Sequence, residues 1–299
     1  MTKGVLLGLG ATVLWASFYP LGRLLFGVHT DDIEPMNLTF IRLVFSSLFF
    51  MPMLLKKRNR QSVRRLLFQH WRMLLLLSGV GIIAEGVLVF WALKYTTSAR
   101  VSILANASPL STLLLSWFCG REILNGSKII GVLVGFAGIV LIFSTQGADV
   151  FSGESGLFIG DAMAFLSGIC WSVYTVFGEE ISQRYGGMIC NAVLFSISTI
   201  MIIPLLFLCG QGFNFNLPWQ VWVSAFYLGV FTNALANGMW YSALKYVTPG
   251  ELGACGYISG LLSFLMALSF LNEKVSWQFV AAIACVIAGT ILMFRRKEA

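Results

Sequence analysis

Apolar runs of about 20 residues, separated by short polar breaks, recur along the whole 299-residue chain. A helix rises about 1.5 Å per residue, so each run is long enough to cross a hydrocarbon core of roughly 30 Å. Read between charge and turn clusters, the runs predict helices near 4–25, 34–55, 71–93, 97–118, 127–144, 157–177, 188–209, 219–243, 249–271 and 275–294. Only 11% of the residues are charged, against roughly 25% in a soluble domain. The expected class is therefore an all-α membrane protein of ten transmembrane helices.

The net charge of +7 raises the question of a polyanion partner. The positive residues, however, sit in short loops beside apolar runs rather than on an amphipathic face with interleaved aromatics, so no nucleic acid is expected. Basic residues in short loops are retained on the cytoplasmic side. With the N-terminus inside, fifteen lysines and arginines fall in inside loops, seven of them between Lys56 and Arg72. Only Arg23, Lys94, Arg100 and Lys274 fall outside, and Arg42 is left within a helix. Both termini are thus expected in the cytoplasm, in a multi-pass protein of the cell inner membrane. The first apolar stretch carries Trp15 and Tyr19 and lacks a small-residue cleavage region, which predicts a retained helix rather than a signal peptide. Six cysteines without a CxxC pair read as packing residues.

The chain also repeats itself. Ala92-Leu93-Lys94-Tyr95 recurs as Ala243-Leu244-Lys245-Tyr246, and the same offset of 151 pairs Thr97 with Thr248, Ser108 with Ser259, Glu122 with Glu273 and Gly138 with Gly289. Leu14-Trp15-Ala16-Ser17 resembles Cys170-Trp171-Ser172 at an offset of 156, the longer basic loop of the first half making the difference. Two domains follow, 1–150 and 151–299, each a repeat of five helices. Because five is odd, the second copy must enter the membrane from the opposite face. Inverted repeats of this kind suit secondary transporters, whose halves can exchange inward-open and outward-open states of similar energy.

The repeated block Ala92–Phe143 and Ala243–Phe294 resembles the EamA domain of the drug/metabolite transporter superfamily. It shows Ser108-Pro109-Leu110 in mid-helix, then Gly120-Arg121-Glu122, then a closing helix with Gly131, Gly135 and Gly138; the second copy has Asn272-Glu273 and Gly289 but Gly260 in place of Pro109. The resemblance implies ten helices around a central cavity lined by helices 1, 3, 4, 6, 8 and 9, with helices 5 and 10 peripheral. Relatives of this kind export amino acids and other metabolites, or carry nucleotide sugars and phosphorylated compounds, so the family leaves the cargo open.

Several residues could carry the chemistry. Glu85 lies in the middle of the third helix, where a charge costs about 2.5–3.5 kcal/mol to insert and normally faces a cavity or a partner. It reads as a proton-coupling or amine-binding group, or as a carboxyl group hydrogen-bonded between helices. Arg42 reads as a partner for a carboxylate or substrate anion, or as a structural cation. Asn233, Asn237 and Trp240 stand at i, i+4 and i+7 on one face of the eighth helix. Asn106 and Tyr257 are repeat-equivalent and are expected to line the cavity from helices 4 and 9. Trp15 with Tyr19 and Trp171 with Tyr174 give each half a paired indole and phenol, suited to a cavity wall or to an interfacial belt. GxxxG spacings at Gly4–Gly8, Gly131–Gly135 and Gly256–Gly260 are helix-contact devices that leave a homodimer open.

The function expected from these residues is a secondary transporter, an exporter of small neutral or zwitterionic metabolites such as amino acids. Its partners are that small molecule and the lipid bilayer. The alternatives are a channel or non-transporting scaffold, and a carrier of larger or anionic metabolites. No HExxH, GxSxG or Walker glycine loop is present, so no enzyme activity, metal or cofactor is expected.

Overall fold

The computed structural model describes residues 2–18, 21, 34–95, 101, 104–144, 155–210, 212–271 and 277–294, among which there is no strand. The helices are α1 (Thr2–Ala16), α2 (Pro35–Leu55), α3 (Lys57–Gln69), α4 (Trp71–Tyr95), α5 (Ser108–Phe118), α6 (Gly126–Ser144), α7 (Ser155–Tyr185), α8 (Gly187–Leu208), α9 (219–243), α10 (Pro249–Leu271) and α11 (Trp277–Phe294). A helix occupies each of the ten expected segments. Pro35-Leu55, Trp71–Tyr95, Phe158–Tyr185 and Gly187–Leu208 are each long and apolar enough to cross a membrane; Thr2–Ala16, Gly126–Leu141 and Val280–Phe294 are shorter apolar helices. Large side chains such as Leu6, Phe118, Leu208 and Trp277 stand exposed around the outside, where lipid replaces water as the surrounding medium.

Two expectations change. The basic stretch read as a loop at 56–72 contains α3, an amphipathic helix that buries Leu66 and leaves its arginines outward. It has helical periodicity without an apolar run, as an interfacial helix does. The sixth expected helix, ending near 177, continues as α7 to Tyr185. Its charged last turns are held in place: Ile181 is buried, Glu179 pairs with Arg121 at 3.2 Å, and Ser182 donates to the Tyr241 carbonyl.

The packing pattern maps onto itself when the halves are exchanged. α1 lies on α9 and α10, and its counterpart α7 lies on α4 and α5; α2 packs on α8, α5 on α10 and α6 on α11. The α6–α11 contact is a glycine seam, since a Cβ on Gly289 would sit 2.5 Å from Gly135 N and one on Gly131 would sit 2.8 Å from Gly289 O. Gly4 meets Tyr246 and Val247, Gly8 meets Leu252 and Cys255, and Gly260 meets Ile139 and Asn106. The GxxxG glycines therefore serve contacts within the chain.

The deepest mark of the duplication is in the backbone. α4 widens to a π-helix over Leu77–Ala84, and α9 does the same over Leu228–Leu235, again 151 residues apart. A π turn shifts the carbonyl pairing by one residue and turns the following side chains. Hydroxyls from the other half cover the shifted carbonyls. Ser46 of α2 donates to Gly229 O at 2.8 Å, and Ser198 of α8 donates to Ser78 O, the equivalent position, at 3.4 Å. Trp15 Nε1 donates to Thr232 O at 2.8 Å.

One end of the bundle is tied by charge. Gly120, at φ 67, ends α5 with an Arg121 N to Ser116 O bond of 2.9 Å, a helix-terminating closure that glycine permits. The chain then aims Glu122 at the start of α10. Its fully buried carboxylate accepts from Lys128 Nζ at 2.6 Å, Thr248 Oγ1 at 2.9 Å and Gly250 N at 2.9 Å. A carboxylate at a helix N-terminus with three donors is well compensated for its burial. Glu122→Ala would leave the buried Lys128 with only the distant Glu251 carboxylate at 3.9 Å, so it is expected to destabilise the protein by about 3 kcal/mol, and Glu122→Gln by less. Thermal unfolding in detergent checks this, and an unchanged midpoint for Glu122→Ala would refute it. In the first π segment, a Cβ on Gly81 would lie 2.6 Å from Tyr174 Cβ, whereas one on Gly79 meets only the Met201 methyl at 3.4 Å. The same assay should show Gly81→Ala losing about 1–3 kcal/mol and Gly79→Ala staying within about 0.5 kcal/mol.

Candidate functional site

A cavity of about 120 Å³, room for several waters or a small polar molecule, is lined by Thr232 and Asn233 of the second π segment and by Glu85 just after the first. A side pocket of about 20 Å³ shares Arg42, Glu85, Trp171, Asn233 and Asn237 with it. Both repeats contribute to the walls. Trp15 of α1 and Phe18 just beyond it, Arg42, Glu85, Asn106 and Ser108 come from the first; Ser167, Trp171, Thr232, Asn233, Asn237, Trp240, Gly253, Gly256 and Ser259 come from the second.

Three indoles form one wall. Trp15 meets Trp171 edge to face with ring centroids 5.0 Å apart, Trp15 lies 5.0 Å from Trp240, and Trp171 lies 5.7 Å from Trp240. These tilted geometries suit the aromatic quadrupole, and the polar edges are tethered so that the rings keep their places. Trp15 Nε1 holds Thr232 O, and Trp240 Nε1 holds Thr175 Oγ1 at 3.1 Å.

The polar wall runs from Asn233, in the second π segment, to Asn237, in the turn after it. Asn237 Nδ2 donates to Asn233 O at 2.7 Å, and its buried Oδ1 has no hydrogen-bond partner. Asn233 Oδ1 accepts from Arg42 Nη2 at 2.6 Å. Behind them, Asn191 Nδ2 donates to Asn237 O at 3.0 Å, Tyr174 donates to Asn191 Oδ1, and Tyr241 donates to Tyr174 O at 2.8 Å. This relay fixes the amide stripe from the side away from the cavity.

Charge is sparse. Arg42 is the one cation and Glu85 the one carboxylate among the described lining residues. Glu85 begins the α-helical turn that follows the first π segment. The guanidinium carbon of Arg42 stacks 5.0 Å from the Phe18 ring and 4.8 Å from the Phe90 ring, which fixes the plane of the fork.

Of the residues singled out in the sequence, Trp15, Glu85, Asn106, Trp171, Asn233, Asn237 and Trp240 meet at the main cavity. Tyr174 is fully buried and lines the side pocket. Tyr19 lies outside the described residues. Tyr257 sits elsewhere: its ring packs on Gly135 and its hydroxyl donates to Val132 O at 2.9 Å, on the peripheral side of α10. Asn106 and Tyr257 are equivalent in sequence but not in backbone. Asn106 lies in a turn preceding Pro109 and α5, whereas Tyr257 lies in the uninterrupted α10. Lining pairs that do obey the repeat are Ser108 with Ser259, already matched at 151, and Trp15 with Trp171, matched at 156. Arg42 was legible as an intramembrane cation, but nothing in the sequence carried α2 to the cavity.

Three comparisons place the chain. An uncharacterized transporter of Archaeoglobus fulgidus is 28% identical over 286 residues, covering 96% of this chain and 95% of that protein. An uncharacterized transporter of Clostridium kluyveri is 22% identical over 301 residues, 100% and 95% of the two lengths. A crystal structure of 22% identity superposes with a TM-score of 0.77 over 98% of this chain and 97% of that one, which shows the same fold. The EamA-like transporter family matches residues 2–144 and again 158–295, one copy in each half. The protein is thus a multi-pass membrane transporter and not an enzyme, and it belongs to the EamA-like transporter family.

Proposed function

We propose that this protein is a secondary carrier, an exporter of the inner membrane, that moves a small neutral or zwitterionic metabolite such as an amino acid by alternating access. The observation that carries the proposal is a cavity walled by both repeats, with three indoles, three amides and, among the described lining residues, one charge of each sign. Phosphorylated or nucleotide-linked cargo would call for several lysines or arginines there. In this reading the halves 1–150 and 151–299 are inverted five-helix repeats, ten helices span the bilayer and both termini are cytoplasmic. The contact symmetry of the halves and their matched π segments support it. The substrate touches Trp15, Asn106, Trp171, Asn233, Asn237 and Trp240, with Glu85 as the proton-coupling group. The Glu122 tie holds the cytoplasmic end closed and must open for loading.

A metabolite-resolved export screen in cells overproducing the protein tests this. Excretion of one chemical class is expected, saturating with internal concentration, and falling at least about tenfold in Asn237→Ala, a loss of about 1.4 kcal/mol or more in transition-state binding. Conductance at channel rates, or no flux of any metabolite, would overturn the carrier. In proteoliposomes the flux should follow an imposed pH gradient in the wild type and ignore it in Glu85→Gln. Wild-type flux indifferent to the gradient would remove proton coupling.

A further inference from the structure

Arg42 and Glu85 share both the cavity and its side pocket and feel each other electrostatically, yet no ion pair within 4.0 Å joins them among the described residues. Each leaves hydrogen-bonding capacity unused. A guanidinium has five N–H donors. For Arg42 only the bond to Asn233 is made, while Nε is buried without a partner and the residue as a whole is 5% exposed. The Glu85 carboxylate, only part-buried, accepts no hydrogen bond from the described residues. Buried ions normally gather partners, because an uncompensated charge in an apolar interior is costly. Here the protein fixes the guanidinium plane between Phe18 and Phe90 and leaves most of the fork vacant.

We infer that Arg42 and Glu85 form a two-ended charge filter, in which Arg42 takes the carboxylate of the substrate and Glu85 takes its ammonium group. The inference rests on the carrier reading above and adds the polarity of the bound molecule. A planar carboxylate matches a guanidinium fork in bidentate fashion, which a lysine cannot reproduce. Asn233 holds one arm of the fork and so sets its direction. The ammonium group lies between the Glu85 carboxylate and the Trp15–Trp171–Trp240 wall, where a cation also meets aromatic faces. Because the site brings one charge of each sign, a substrate of zero net charge leaves the cavity neutral. A free acid or a free amine pairs only one of the two ions, and the filter discriminates against it by the contact it lacks.

The test is calorimetric binding to the purified full chain in nanodiscs, with the twenty standard L-amino acids as probes. Each amino acid that binds is then compared with its methyl ester, which lacks the carboxylate, and with its N-acetyl derivative, which lacks the ammonium group. The wild type should bind at least one amino acid, and bind it at least about tenfold more tightly than either derivative. Arg42→Gln should reduce the preference over the ester to about threefold or less and keep the preference over the N-acetyl compound. Glu85→Gln should do the reverse. A general loss of fold lowers both preferences together, so the crossed pattern is the signature. Arg42→Lys should restore only part of the ester discrimination. Binding of none of the twenty, equal binding of the three forms, or parallel losses in the two variants would overturn the filter. Saturable export of a metabolite lacking the charge pair would sink the filter and leave the carrier standing, whereas the crossed pattern without any flux would do the opposite.

Discussion

In a hydrocarbon layer no water reaches a backbone carbonyl, so every departure from the α-helical ladder must be covered from within the protein. The two π segments are such departures, and the donors that cover them come from other helices. Ser46 and Ser198 reach symmetric carbonyls in opposite halves, and Trp15 reaches Thr232. The same bonds therefore join the repeats and hold open the irregular turns. Immediately after each turn stand the residues that face the cavity, Glu85 in one half and Asn237 and Trp240 in the other. Backbone irregularity, inter-repeat bonding and cavity chemistry have one location.

The two repeats share a scaffold and differ in what they place on it. Glu85 corresponds at 151 to Ala236, and Ile82 to Asn233, so the first half supplies a carboxylate where the second supplies amides. Pro109 breaks the fourth expected helix into a turn that presents Asn106, while Gly260 lets α10 continue and sends Tyr257 to the periphery. Symmetry suits interconversion of two states, and asymmetry suits recognition of a substrate with unlike ends. At the end carrying Arg121, Glu122 and Lys128, a buried ion network fastens the α5–α6 connection to α10.

Helix positions and the duplication were readable because apolar length and a fixed offset are properties of the chain alone. α3 escaped because its signal is periodicity in a basic segment of low hydropathy, and the last turns of α7 escaped because their charges are compensated by residues distant in sequence. The indole wall, Glu85 and the amide stripe were legible, since polar or aromatic groups in mid-membrane need a reason. The π turns were not, because no residue type dictates them. Arg42 joined the site only when α2 was seen to pack beside the second π segment, where Gly229 admits its backbone and Asn233 meets its side chain. Tyr257 differs from Asn106 because α10 is uninterrupted there, so equivalence in sequence does not carry over to side-chain direction.

Alternating access by inverted repeats requires the halves to cross the membrane in contrary senses, and the pair Lys94 and Lys245, equivalent at 151, reports on this most directly. Single cysteines at these two positions, in a background whose six native cysteines are replaced by serine, can be labelled with a membrane-impermeant maleimide in intact cells and in inverted vesicles. The account predicts labelling at 94 from the outside only and at 245 from the inside only. Labelling of both from the same face would contradict it.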